Sequence, residues 1–174
     1  LAGVQGVAVN AIPLGPGFSL PLEELKSAPG ALTFITNPNN PAGTHYPSAQ
    51  IAELAAAGPN LVAVDEAYAE FAAGDCLDLL AEFDNLCIIR TFSKAYGLAG
   101  LRVGYLLGPP DLAAALLKIK DSYNVNRVAQ MAALAALDDR DWAESMWAGV
   151  RERREKLAGD LTALGLKVHP SGAN

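Results

Sequence analysis

The residues best placed for covalent chemistry lie in Arg90-Thr91-Phe92-Ser93-Lys94-Ala95-Tyr96-Gly97-Leu98-Ala99-Gly100-Leu101-Arg102-Val103-Gly104-Tyr105. Lys94 stands just beyond the apolar run Leu86-Cys87-Ile88-Ile89. A lysine amine is protonated near neutrality. It becomes a nucleophile only where burial or positive neighbours lower its pKa, or where an imine to a bound carbonyl replaces the free amine. Ser93 beside it and Arg102 further on can both bond a phosphate, Arg102 through its two-pronged guanidinium, while Gly97 and Gly100 permit close backbone approach. The pattern suits a lysine that joins a phosphorylated carbonyl compound. Taken singly, Lys94 also reads as an ordinary surface lysine and Arg102 as the partner of a carboxylate at the core edge.

Two further stretches carry polar groups of the right kind. Asp65 closes the apolar run Leu61-Val62-Ala63-Val64, where an unpaired carboxylate would be costly and a protonated heterocyclic nitrogen would be a natural partner. Tyr68 can offer its hydroxyl to the same ligand. The competing reading is an aspartate that caps the following turn and a tyrosine packed by its ring. Asn40 lies in Asn37-Pro38-Asn39-Asn40-Pro41-Ala42-Gly43-Thr44, a segment rigid enough to aim a carboxamide at a phenolate oxygen, or simply a turn. One of the bonds Asn37-Pro38 and Asn40-Pro41 is expected to be cis. No dinucleotide or nucleoside-triphosphate glycine motif occurs, and His45 and His169 have no partner at metal-ligand spacing.

The elements that must position these groups alternate. Strands are expected at 6–14, 31–36, 61–64, 86–90, 101–107 and 166–169, from apolar runs closed by Gly, Pro or Asn. Helical stretches are expected at 20–26, 48–57 with Ser48 as cap, 77–83, 111–120, 126–137 and 141–164. The last shows Trp142, Met146, Val150, Leu157, Leu161 and Leu164 on one face, with Gly165 as its stop and 151–156 as a solvated charged stretch. Such alternation implies an α/β protein with a mainly parallel sheet covered on both faces. Ligands of these sheets sit beyond the strands' carboxyl ends, so the stretches 37–43, 65–68 and 93–102 should share one edge.

Composition narrows the function classes. The 174 residues are 51% hydrophobic, with 13 basic against 19 acidic residues and a formal net charge of -6, which excludes a broad attraction for nucleic acid or an anionic membrane. Cys76 and Cys87 fit neither a zinc spacing nor a disulfide framework, as expected of a cytoplasmic protein. No apolar run approaches the roughly 18 residues of a membrane span, and no leader opens the chain. A start at Leu1 and an end at Asn174 suggest a piece of a longer protein.

The segments 37–44, 65–71, 90–105 and Pro170-Ser171-Gly172-Ala173-Asn174 occur in one order. Together they resemble the histidinol-phosphate aminotransferase family, class II within the fold-type I pyridoxal-phosphate enzymes. The resemblance implies a three-layer, mainly parallel large domain over 1–139, a connecting helix over 140–165 and the start of a small carboxyl-terminal domain over 166–174. It implies the cofactor pyridoxal 5'-phosphate, with Lys94 as the Schiff-base lysine, Asp65 on the pyridine nitrogen, Asn40 and Tyr68 on the phenolic oxygen, and Ser93 and Arg102 on the phosphate. It also implies a homodimer that transaminates L-histidinol phosphate with 2-oxoglutarate in histidine biosynthesis. An aromatic amino acid aminotransferase, a threonine-phosphate decarboxylase and a non-catalytic fragment are the alternatives. Ala42 stands where the family usually has threonine. The family's upstream glycine-rich loop, its ring-stacking aromatic and its downstream carboxylate-binding arginine have no counterpart in this stretch.

Overall fold

The computed structural model describes residues 3–174; Leu1 and Ala2, the first residues of the expected 1–139 unit, lie outside them. Four strands, β1 Leu32–Thr36, β2 Leu61–Asp65, β3 Leu86–Thr91 and β4 Gly104–Leu107, form one sheet in the order β1-β2-β3-β4. The first three are parallel and β4 runs antiparallel to β3. Among the described residues five α-helices accompany them: α1 Leu22–Ser27, α2 Ser48–Ala56, α3 Pro110–Ile119, α4 Arg127–Asp138 and α5 Arg140–Ala163.

The register explains the core. Ile35 is level with Val64 and Val64 with Ile88. With side chains alternating along each strand, Val62 and Leu86 join them on the same face. All five are buried against Ile51, Leu54 and Ala55 of α2, and Leu22 and Leu25 of α1 pack at the margin. Each such aliphatic side chain contributes about 1.5–3 kcal/mol when fully buried. On the opposite face Leu32 and Phe34 remain more than half exposed, so the expected cover on both faces is not realised at that end of the sheet.

Several expectations change. Residues 6–14 and 166–169 are irregular rather than strands, because a strand exists only through ladder partners and none pairs with either segment among the described residues. The expected strand 101–107 shortens to β4: Ala99–Leu101 winds into a 3-10 turn, and Arg102 takes a left-handed conformation at φ 55. Ser48 is the first residue of α2, not its cap; Pro47 holds that position. Asn126 does cap α4, its side chain accepting from Ala129 N at 2.9 Å. The bonds Asn37-Pro38 and Asn40-Pro41 are both cis.

α5 turns the face its large apolar residues mark only partly to the core: Val150 packs beside the buried Phe71, Ala143 and Trp147. Ala143 and Trp147 are buried, while Trp142, Met146, Leu157 and Leu164 are exposed. The indole N–H of Trp147 donates to Ala95 O at 2.8 Å, and its ring meets Tyr96 edge-on at 5.4 Å. Arg151 and Arg154, further along the same stripe, donate to Glu70 O and Phe71 O at 2.9 and 3.1 Å. Gly165, at φ 81, ends the helix, with Leu166 N reaching back to Leu161 O at 3.1 Å in a Schellman-type closure.

Candidate active site

Parallel pairing brings the carboxyl ends of β1, β2 and β3 to one edge, and the ladder continues past them. Asn37 N donates to Asp65 O and Glu66 N to Ile89 O, both at 2.8 Å. The loop after β1 is pinned by Asn37, which is buried and exchanges hydrogen bonds with the Tyr46 backbone: its amide donates to Tyr46 O at 3.0 Å and its carbonyl accepts from Tyr46 N at 2.8 Å. Asn39 Nδ2 donates to Thr36 Oγ1 at 2.7 Å, and Asn39 Oδ1 accepts from Ala42 N at 3.2 Å. With Asn37 and Asn39 committed to the loop, the exposed Asn40 is left to point outward, and its Nδ2 donates to Tyr68 Oη at 3.2 Å.

Lys94 joins this pair. Its Nζ lies 5.4 Å from the centroid of the Tyr68 ring. The turn that presents it closes through Gly97 N to Lys94 O at 3.0 Å and Leu98 N to Phe92 O at 2.9 Å. Gly97 sits at φ 67, which disfavours any residue with a side chain. Beneath the turn Phe92 is buried among Val103, Tyr96 and Tyr105. Asn40, Tyr68 and Lys94, from three different loops, thus share one locality.

The remaining predicted residues are less tightly gathered. Asp65 is half-buried, and its Oδ1 accepts from Ala67 N at 3.0 Å, so one carboxylate oxygen performs the turn-capping role. Ser93 N donates to Thr91 Oγ1 at 3.1 Å, and the Thr91 hydroxyl donates to Val103 O at 3.3 Å. The Arg102 guanidinium is exposed, and Nη1 donates to Ala99 O at 3.0 Å, not to a core-edge carboxylate. No bond joins Ser93 to Arg102 among the described residues.

Residues with no assigned role in the sequence reading also shape the edge. Period two turns Asp65 and Ile89 to one face of the sheet, and places Glu66 and Arg90 on the other. Glu66 is fully buried; its Oε2 accepts from Arg90 Nε at 3.0 Å and Nη2 at 2.7 Å, and its Oε1 from Cys76 N at 2.7 Å. Arg90 Nη2 also reaches Asp75 Oδ2 at 2.8 Å. Burial works against the Arg90 charge, but its hydrogen bonds to the two carboxylates outweigh that and raise its pKa. Burial, reinforced by the charge of Glu66, pushes the Cys76 thiol up to about 12. A charged residue inside the run Leu86–Thr91 was the available signal for a buried partner. Thr91, which braces Ser93, carried none.

The donor set fits a phosphorylated pyridine aldehyde. It offers an amine, two adjoining donors suited to a phenolic oxygen, a carboxylate with one oxygen committed, and a hydroxyl and a guanidinium on the loop that follows the amine. Neither of two sizeable cavities includes Lys94: one of ≈ 780 Å³ lies among Phe92, Tyr105, Gln130 and Leu134, and one of ≈ 650 Å³ lies between residues 7–14 and β1. Among the described residues no group of three or more His, Cys, Asp or Glu could hold a metal ion, and no helix is long and apolar enough to cross a membrane.

Comparison with known proteins gives the family. The family described as "Aminotransferase class I and II" matches residues 6–174. The chain is 40% identical over 174 residues to "Histidinol-phosphate aminotransferase 1" of Trichormus variabilis, covering 100% of this chain and 50% of that protein. Its fold superposes with a TM-score of 0.90 and 32% identity on histidinol-phosphate aminotransferase from Sinorhizobium meliloti in complex with pyridoxal-5'-phosphate, covering 99% of this chain and 49% of that one. It is also similar to a double mutant of aspartate aminotransferase from Thermus thermophilus, with a TM-score of 0.84, 28% identity, and 97% and 48% covered. The chain therefore spans about half the length of the curated relatives it matches.

Proposed function

Because the chain belongs to the class I and II aminotransferase family, we propose that it carries the cofactor-binding and catalytic core of a pyridoxal 5'-phosphate-dependent transaminase. The observation that carries this reading is the meeting of Asn40, Tyr68 and Lys94 within 3.2 Å and 5.4 Å contacts at one sheet edge. The bound cofactor would supply a carbonyl for covalent attachment of the amino substrate and a ring that takes up electrons. Lys94 would hold the cofactor through its amine and would move the proton at the substrate's alpha carbon. Asp65 would keep a proton on the ring nitrogen. Asn40 and Tyr68 would hold the phenolic oxygen; Ser93 and Arg102 would hold the phosphate.

The substrate pair we propose is L-histidinol phosphate and 2-oxoglutarate in a cytoplasmic enzyme of histidine biosynthesis. It is supported by relatives named for that activity along the whole chain. We further propose that the enzyme is a homodimer: Leu117, Ile119, Tyr123, Val128 and Met131 form an exposed apolar series from α3 to α4. The domain reading is a large domain to residue 139, a connecting helix and the start of a small domain; α5, Arg140–Ala163, supports the helix.

Titration with pyridoxal 5'-phosphate tests the core reading. A visible absorbance band should form, and Lys94→Ala should abolish it; no band at saturating cofactor means a non-catalytic fragment. In the full-length enzyme, turnover of phenylalanine or decarboxylation of threonine phosphate, without turnover of histidinol phosphate, would overturn the substrate assignment.

A further inference from the structure

We propose that Arg154 is a positioning residue that fixes the Asn40–Tyr68 pair by clamping the segment 171–174 between the loops that carry them. Its relevance to catalysis rests on the function proposed above. One guanidinium nitrogen, Nη1, donates to two carbonyls far apart in the chain, Phe71 O at 3.1 Å and Ala173 O at 2.6 Å. The side chain is largely covered, at 19% exposure, and a planar guanidinium with several fixed donors can bridge two segments in this way.

Each carbonyl leads to one member of the pair. Phe71 closes the turn after Tyr68, its N–H donating to Tyr68 O at 3.1 Å. On the other side, Ala173 N donates to Ser171 Oγ at 3.1 Å, Gly172 N to Gly43 O at 2.7 Å, and Gly43 N to Asn39 O at 2.7 Å, next to Asn40. The circuit closes where Asn40 Nδ2 meets Tyr68 Oη at 3.2 Å. Contact along it is tight enough to require glycine. A Cβ on Gly172 would come within 2.7 Å of His45 Cβ, and one on Gly43 within 2.5 Å of Ser171 Oγ. The His45 ring is itself held, with Nε2 at 3.0 Å from Gly74 O. The start of the segment beyond α5 is therefore wired to the two donors that would hold the cofactor's phenolic oxygen.

The test compares wild type with Arg154→Met, Arg154→Lys and Gly172→Ala, with Arg140→Met as the control, because among the described residues Arg140 forms its ion pair with Glu144 on the surface. In the cofactor-free protein, amide exchange at Gly172 and Gly43 should accelerate at least about tenfold in Arg154→Met. Arg154→Lys, which keeps a donor but not the fork, should fall between. Gly172→Ala should speed exchange at Gly43 with Arg154 intact, and if Arg154→Met fails to fold, Arg154→Lys decides the matter, wild-type exchange at Gly172 in it refuting the clamp. In the full-length holoenzyme, weaker donation to the phenolic oxygen should raise the pH midpoint of the bound cofactor's visible band by about half a unit, and Arg140→Met should leave it unchanged. Wild-type exchange in Arg154→Met and Gly172→Ala refutes the clamp. Faster exchange with an unmoved midpoint and unchanged cofactor Kd refutes its positioning role. If wild type shows no band, the proposed function fails, and the clamp stands or falls on exchange at Gly172 alone.

Discussion

Replacing Arg90 with methionine should destabilise the chain by about 3–5 kcal/mol, the usual cost of leaving a buried charge without its partner. The geometry supports that size. Glu66 has no exposure and Arg90 only 12%, so water cannot substitute. The variant removes the bonds at 3.0 and 2.7 Å to Glu66 Oε2, and hydrogen bonds to charged groups contribute about 1.5–3 kcal/mol each. Glu66→Gln should cost less, about 1–3 kcal/mol, because it keeps an acceptor for Cys76 N and leaves Arg90 paired with Asp75 at 2.8 Å. The double variant should fall short of the sum of the two by at least about 1 kcal/mol. Urea unfolding followed by tryptophan fluorescence measures all of this. A cost below about 1 kcal/mol, or equal and additive costs for the two single variants, would refute the reasoning.

Two other outcomes follow from single contacts. Burial raises the Glu70 carboxyl pKa above its ordinary 4.5, and its Oε2 is buried without a hydrogen-bond partner. Stability tied to Glu70 is thus present below that value and lost as pH rises through the raised one; Glu70→Gln should flatten that part of the urea-midpoint profile, and a profile superimposable on wild type counts against the assignment. Trp147→Phe, which strands Ala95 O, should cost about 1–3 kcal/mol, whereas the exposed Trp142→Phe should stay within about 0.5 kcal/mol; thermal melts separate the two.

Much of the architecture was legible locally. The runs at β1, β2 and β3 are short, apolar and bounded by Asn, Asp or Pro, so their positions follow from neighbouring residues alone. Their polar ends could be assigned to one edge because parallel strands leave no other arrangement. That made Asn40, Asp65, Tyr68, Ser93, Lys94 and Arg102 recognisable as a set, and the structure brings Asn40, Tyr68 and Lys94 together.

What the chain's order could not reveal depends on partners distant in sequence. Residues 6–14 and 166–169 have strand-like composition, but a ladder needs a second strand, and composition does not supply one. The buried stripe of α5 was misread because hydrophobicity favoured Trp142 and Met146, whereas the hydrogen bond from Trp147 to Ala95 and the arginine bonds to Glu70 and Phe71 set the rotation of the helix. The partners of Arg90 and Arg154 are spread from Glu66 to Ala173. Local pattern encodes periodicity and turn chemistry, so the sequence alone determined where the chemical groups lie along the chain. Only the tertiary structure decided which of them are braced, because burying a charge or a carbonyl is favourable only when a particular distant group arrives to satisfy it.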